Sequence, residues 1–290
     1  HLHDHINAEI AAGNPHSLQD DVDYISWTFF YRRLLSNPSY YGLYGGSVEE
    51  FQSFLLTMLL GILHDLQAAG CVELTEDNKV RPTRLGEIAG FYYIQYHTVK
   101  LFADSVRAVD SIPALLQLVS SASEYDVEPV RHNEDQLLET FSASIHWQVP
   151  EGSDFNDPHL KVFMLLQGFM QRLPLPITDF VNDQNSVMDN SIRLINALAD
   201  IAFELQLSGP LWQVMTAMPF LIQGLMPFDS QLLQLDGVDP ALVKRLNKEG
   251  VVELKDLRGK SEKDILAVLN RCRCEKGLAS RVALQAPSHA

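Results

Sequence analysis

The stretch Asp183–Leu207 contains neither proline nor glycine, and it constrains the rest of the chain more than any other. Val187, Ser191, Leu194, Leu198, Ile201 and Leu205 recur at steps of three and four, the spacing of one helix face. Ile192, Ile195, Ala199 and Ala202 widen that face. Asp183 and Asn185 suit a helix N-terminus. A helix of this length runs on the order of 35–40 Å, long enough to be a domain's central strut. Arg193, Asn196, Asp200 and Glu204 form a second, narrow polar line. Two readings of that line stay open: the solvated side of a core helix, or the lining of a nucleic-acid path with Arg193 as its only cation.

The chain has 290 residues, enough for two or three small domains, and 46% hydrophobic with 20% charged residues fits a globular protein. No apolar run approaches the roughly 20 residues of a membrane helix, so no membrane partner is expected. The polar start His1–Ile10 lacks the apolar core of a signal peptide. It begins without Met, as a piece of a longer chain does. Cys71, Cys272 and Cys274 are too few and too unevenly spaced for a disulfide framework or a zinc site, which points to a reducing compartment.

Charge is unevenly spread. Residues 229–290 hold 11 Lys+Arg and 9 Asp+Glu, a net of +2. The remaining 22 − 11 = 11 basic and 37 − 9 = 28 acidic residues give 1–228 a net of −17. Such a body repels phosphate at long range, which argues against tight free-standing nucleic-acid binding. Protein partners, or a strand held mainly by other domains, fit better.

Leu18–Leu35 reads as one buried helix ended by Asn37-Pro38, and Val48–Ala69 as a second, ended by Gly70. Cys71–Leu74 and Val80–Thr83 around Glu76-Asp77-Asn78 read as a hairpin. Two helices and a hairpin suggest a winged helix whose first helix is missing. Its recognition helix has no Lys or Arg, so a structural brace is favoured over base reading. Leu85–Val106 reads as one long helix, with Phe91, Tyr92, Tyr93, Tyr96 and Phe102 read as core in preference to a stacking platform. Further helices follow at Ile112–Ser121, Gln136–Ser144, His159–Leu173 and Leu211–Leu225, with Gly209-Pro210 as a linker. The polar corner Arg131, His132, Glu134, Asp135 is read as capping and pairing charges rather than an acid–base site.

Three motifs invite chemistry and give little. His1-Leu2-His3-Asp4-His5 lacks the spacing that would converge its imidazoles on one metal. Gly259-Lys260-Ser261 imitates the end of a P-loop, but Leu254 stands where the first glycine belongs. Gly237-Val238-Asp239, within a helix–hairpin–helix pattern, puts Asp239 where a phosphate-gripping hairpin has glycine. Lys244, Arg245 and Lys248 stand ready to compensate, so phosphate gripping and plain packing both remain possible.

Asp23-Tyr24-Ile25-Ser26-Trp27-Thr28-Phe29 and Asn37-Pro38-Ser39-Tyr40-Tyr41 resemble the winged-helix end of large superfamily-two RNA helicases. Leu85-Gly86-Glu87-Ile88-Ala89, Val130-Arg131-His132-Asn133-Glu134-Asp135 and Phe155-Asn156-Asp157-Pro158-His159 resemble the Sec sixty-three homology unit that follows it. The likeness is strongest to the C-terminal cassette of the spliceosomal branch, with the signal-cointegrator branch a near competitor. It implies a mainly α fold in three parts: a partial winged helix with a short β-hairpin over 1–84, a helical bundle over 85–228 and a helix–hairpin–helix module over 229–290. In that family the long bundle helix is a ratchet along which single-stranded nucleic acid is drawn. The resemblance thereby implies nucleic-acid contacts at Arg193, Asn196 and Asp200, with Lys244, Arg245 and Lys248 beside them. Some relatives have an aromatic where this chain has Asp200. The fragment itself is expected to be non-catalytic and without cofactor, with ATP and magnesium belonging to motor domains upstream. Expected partners are spliceosomal proteins, the neighbouring helicase cassette and, weakly, single-stranded RNA, all in the nucleus.

Overall fold

The structure, a computed structural model, describes residues 2–13, 16–44, 47–75, 79–257 and 260–272. The chain folds as two compact units, His1–Leu166 with Leu175–Met218 in the first, and Gln167–Pro174 with Pro219–Ala290 in the second. The fold is mainly α, as the sequence implies, with one small sheet among the described residues.

The first unit opens with α1 (Leu2–Ala12), which buries Ile6, Asn7 and Ile10. This helix, expected to be missing, is present. Its apolar residues make a stripe one side chain wide, easily lost among the histidines around it. A short strand, β1 (His16–Ser17), follows, then α2 (Leu18–Ser26) and α3 (Phe29–Ser36). The single helix expected over Leu18–Leu35 is thus two. Thr28 breaks it: its hydroxyl donates to the Ile25 carbonyl at 2.6 Å and accepts the Tyr31 N–H at 3.4 Å, capping α3. Trp27 and Phe29, flanking that break, are exposed rather than buried.

Helix α4 (Val48–Ala68) starts at Ser47, whose side chain accepts the Glu50 N–H. Strands β2 (Val72–Leu74) and β3 (Lys79–Pro82) pair antiparallel with Glu73 opposite Arg81. The hairpin gains a third strand, because β1 pairs with β3 through His16 and Val80 to give the order β1-β3-β2. The expected turn Glu76-Asp77-Asn78 lies outside the described residues.

The bundle begins with α5 (Arg84–Tyr92) and α6 (Tyr96–Ser105), not the one long helix expected over Leu85–Val106. Tyr93 adopts a left-handed conformation (φ 53°, ψ 47°) that ends α5, and the Ile94 N–H reaches back to the Ala89 carbonyl at 3.1 Å. No glycine or proline marks this stop, so helical periodicity ran across it. Next come α7 (Ile112–Ser120), α8 (Glu134–Ser142) and α9 (Pro158–Met170), the last capped by Asp157, whose carboxylate accepts the His159 N–H at 2.9 Å.

Helix α10 (Thr178–Glu204) is 27 residues long, on the order of 40 Å, and packs against α5, α6 and α7. It starts five residues before the expected Asp183, which is therefore an interior residue and no cap. Val187, Ser191, Leu194, Leu198 and Ile201 are buried, whereas Ile192 is exposed. Gly209 and Pro210, expected as a linker, form the first turn of α11 (Ser208–Gln223), where proline is tolerated.

In the second unit α12 (Pro240–Lys248) and α13 (Glu262–Arg271) pack around Leu232, Val238, Leu246, Val251 and Leu269. Arg172 fastens its connecting segment by donating to the carbonyls of Gly224 and Leu233, each at 2.9 Å. No described helix is long and apolar enough to cross a membrane.

Candidate nucleic-acid and partner interface

The polar line of α10 meets the C-terminal end of α5. Carbonyls in the last turn of a helix have no intrahelical donor and carry partial negative charge, so a cation settles there. Arg193 does so: its Nη1 donates to the Tyr93 carbonyl at 2.6 Å and to that of Tyr92 at 3.5 Å. Its Nε and Nη2 donate to Asn190 Oδ1 at 3.2 and 2.7 Å. Each guanidinium nitrogen is therefore engaged, and the side chain is half-buried. Asn196, also half-buried, donates to the Ile192 carbonyl one turn back at 2.8 Å.

Asp200 is exposed, and its Oδ2 accepts the Tyr92 hydroxyl at 2.8 Å. Burial, then the bond to Asp200 and its charge, push the Tyr92 phenol up to about 12. Nearby Arg84 pairs with Glu87 at 2.5 Å and with Glu204 of α10 at 3.9 Å. A groove of about 570 Å³ opens here, with Ala8, Ala11, Arg84, Phe91, Tyr93 and Asp200 among its walls. Phe91 is 76% and Tyr93 81% exposed, so two rings assigned to the core stand in solvent, while Phe102 is buried as expected. Consecutive aromatics at 91–93 cannot share one helix face, and that was the available signal.

Nearer the start of α10 lies a cluster that the sequence only half revealed. Lys161 of α9 is fully buried. It donates to Asp183 Oδ2 at 2.6 Å, Glu134 Oε2 at 2.7 Å and the Pro129 carbonyl at 2.6 Å. Arg131 adds a two-pronged contact to Asp183, at 2.7 and 3.0 Å, and a bond to Glu134 at 2.8 Å. Burial works against the ionised forms, but for Glu134 the hydrogen bonds from Lys161 and Arg131, and for Asp183 those from Arg131 and Lys161, outweigh it. Both carboxyls are held below their ordinary range. The polar corner does pair its charges, and it joins the loop at Arg131, α8, α9 and α10.

Lys244, Arg245 and Lys248 lie on α12 in the second unit and are exposed. Asp239 caps α12, its Oδ1 accepting the Leu242 N–H at 2.6 Å. The carboxylate therefore occupies the helix N-terminus that an anion would seek. Gly259 lies outside the described residues; Ser261 caps α13 by accepting the Asp264 N–H at 3.2 Å.

Among the described residues no group of three or more His, Cys, Asp or Glu is placed to hold a metal. His3 instead pairs with Asp65 at 3.0 Å and stacks on Tyr96. Cys71 is buried, and burial, with the charge of Asp4, pushes its thiol up to about 12. Cys272 is buried, and Cys274 lies outside the described residues.

A winged helix leading into a bundle built on one long, polar-edged helix defines a helical accessory module. The family model described as Sec63 Brl domain matches residues 82–285, and one described as Winged Helix-turn-helix domain matches residues 1–76. The chain belongs to the Sec63 Brl domain family.

Similar proteins include "Activating signal cointegrator 1 complex subunit 3" of Dictyostelium discoideum, 40% identical over 82% of this chain and 11% of the relative. "DExH-box ATP-dependent RNA helicase DExH14" of Arabidopsis thaliana is 38% identical over 88% of this chain and 12% of its own. "U5 small nuclear ribonucleoprotein 200 kDa helicase" of Homo sapiens is 34% identical over 92% of this chain and 12% of its own. The chain thus spans 11–12% of the length of these relatives and corresponds to the Sec63-type region of helicases.

Proposed function

We propose that this chain is the non-catalytic accessory and regulatory region of an ATP-dependent RNA helicase of pre-mRNA splicing, acting in the nucleus on paired small nuclear RNA. It touches a single strand weakly and docks protein partners, among them spliceosomal proteins and the neighbouring helicase cassette. ATP and magnesium serve the parent's motor domains. In this reading 1–84 braces, 85–228 faces the strand and 229–290 is a helix–hairpin–helix module.

The observation that carries it is the state of Arg193. The one cation on α10 already donates to Asn190, Tyr92 and Tyr93, and Asp200 follows two turns on. This supports a strand that is guided lightly along Arg193, Asn196 and Asp200 and never gripped. Lys244, Arg245 and Lys248 supply what phosphate contact the chain offers from its second unit.

Single-stranded RNA crosslinking and partner pull-down, each with wild type and Arg193→Glu, test the proposal. The expected result is weak RNA binding that falls with salt and with the substitution. Submicromolar, salt-insensitive binding overturns it. Unchanged crosslinking with unchanged partners favours a pure protein-interaction scaffold. A second reading, the equivalent region of a transcription-coactivator or DNA-repair helicase, is favoured by the 40% identity to the cointegrator subunit.

A further inference from the structure

The groove between α1 and α5 has a chemistry that neither a solvated core helix nor a strand path requires. Its floor is made of small side chains, Ala8, Ala11 and Gly90, and an added Cβ on Gly90 would already meet Ala11 at 3.4 Å. Tyr93 stands between this groove and a second recess lined by Asp4, His5 and Gln95, so its exposed ring has an opening on either side. The left-handed backbone at Tyr93 holds that ring beyond the end of α5.

Two carboxylates, Glu87 and Asp200, line the groove with the rings. The groove cation, Arg84, pairs with Glu87 and with Glu204 of α10, and feels the charge of Asp200 more weakly. The other cation nearby, Arg193, is turned onto carbonyls. Asp200 keeps one oxygen, Oδ1, with no hydrogen-bond partner among the described residues. Aromatic faces beside a carboxylate with a free oxygen attract a flat, weakly hydrated cation and give a polyanion no more than light contact. The net charge of −17 over residues 1–228 acts in the same direction at long range.

We propose that this groove receives an arginine side chain from an extended, basic segment of a partner protein, stacked on Tyr93 or Phe91 and paired with Asp200. The inference rests on the partner-docking part of the function proposed above and gives that partner a chemistry and a place. Arginine is preferred over lysine because only a planar guanidinium can lie on a ring while its edge meets a carboxylate.

The test uses the 290-residue chain and a fluorescein-labelled Arg-Gly repeat peptide, with its Lys-Gly counterpart and an oligouridylate, followed by anisotropy. The arginine peptide should bind more tightly than the lysine one. Whichever of Tyr93→Asn and Phe91→Ala removes the stacking ring should weaken it about tenfold, the order expected of a desolvated cation–π contact. Asparagine tolerates the left-handed backbone, so Tyr93→Asn should leave the thermal midpoint in place. Asp200→Lys should abolish the preference.

Equal affinity for the two peptides, or indifference to all three substitutions, overturns the inference. So does a loss of oligouridylate binding in Tyr93→Asn with peptide binding unchanged, which would make the groove part of the strand path. In either case partner pull-down by wild type would leave the wider reading standing, whereas failure of pull-down and RNA crosslinking together would end that reading.

Discussion

Lys161 and Asp183 meet at 2.6 Å, and the lysine has no solvent exposure at all. An ammonium there is tolerated only because Glu134 and the Pro129 carbonyl take its other protons. Removing it should be severe: Lys161→Met leaves the buried carboxylates of Glu134 and Asp183 to share Arg131 alone and should cost about 3–5 kcal/mol by denaturant unfolding. The double variant with Asp183→Leu should lose clearly less than the sum of the two singles. Additivity would show that the pair is not coupled.

Acid should unfold the chain through the same cluster. Glu134 and Asp183 have native pKa values lowered from the ordinary 4.5 and 3.8, so their contribution is complete above those values. It is lost as pH falls through the lowered native values. The thermal midpoint should therefore hold steady near neutrality and drop below about pH 4. Asp183→Asn should flatten that drop, and an unchanged slope would remove the cluster from the explanation.

Gly86 should not accept any side chain. A Cβ there would lie 2.0 Å from the Cys71 carbonyl oxygen and 2.9 Å from Asn7 Oδ1. Backbone cannot step aside as a flexible side chain can, so Gly86→Ala should cost about 3 kcal/mol. A melting curve matching wild type would mean that α5 can shift away from the Cys71 backbone it abuts.

Asp239→Gly restores the pattern that a phosphate-gripping hairpin uses. It removes the cap on the Leu242 N–H, a change that costs only a few tenths of a kcal/mol when glycine replaces aspartate. It also clears an anion from the N-terminus of α12, with Lys244, Arg245 and Lys248 on the same helix. Single-stranded RNA affinity should rise several-fold, with a steeper dependence on salt. No rise would leave this module to packing alone.

What the sequence disclosed follows the strength of the local signals. The face of α10 from Val187 to Ile201, the helix expected from His159 and the hairpin of β2 and β3 were legible because the local patterns are unbroken there. Breaks made without glycine or proline were not. Thr28 stops one helix with a hydroxyl, a capping signal that the apolar residues around it mask, and Tyr93 stops another with a left-handed turn that its residue type does not announce. Of the polar line, Arg193, Asn196 and Asp200 could be placed on one side of a helix. That Arg193 would face carbonyls depended on where α5 ends, which periodicity did not show. Lys161 was hidden for a related reason: its partners come from 22 and 27 residues away, beyond any helical spacing.

Helix α1 gives its amide to the bundle, since Asn7 Nδ2 donates to the Gly86 carbonyl at 3.0 Å, while Ile6 and Ile10 are sealed from water. A gene fragment begun at residue 82, where one family match starts, would bare the flank of α5 that this first helix shields. Cloning boundaries drawn from family matches alone would thus yield a sticky, half-clothed bundle, and the opening dozen residues belong in any fragment meant to stay in solution.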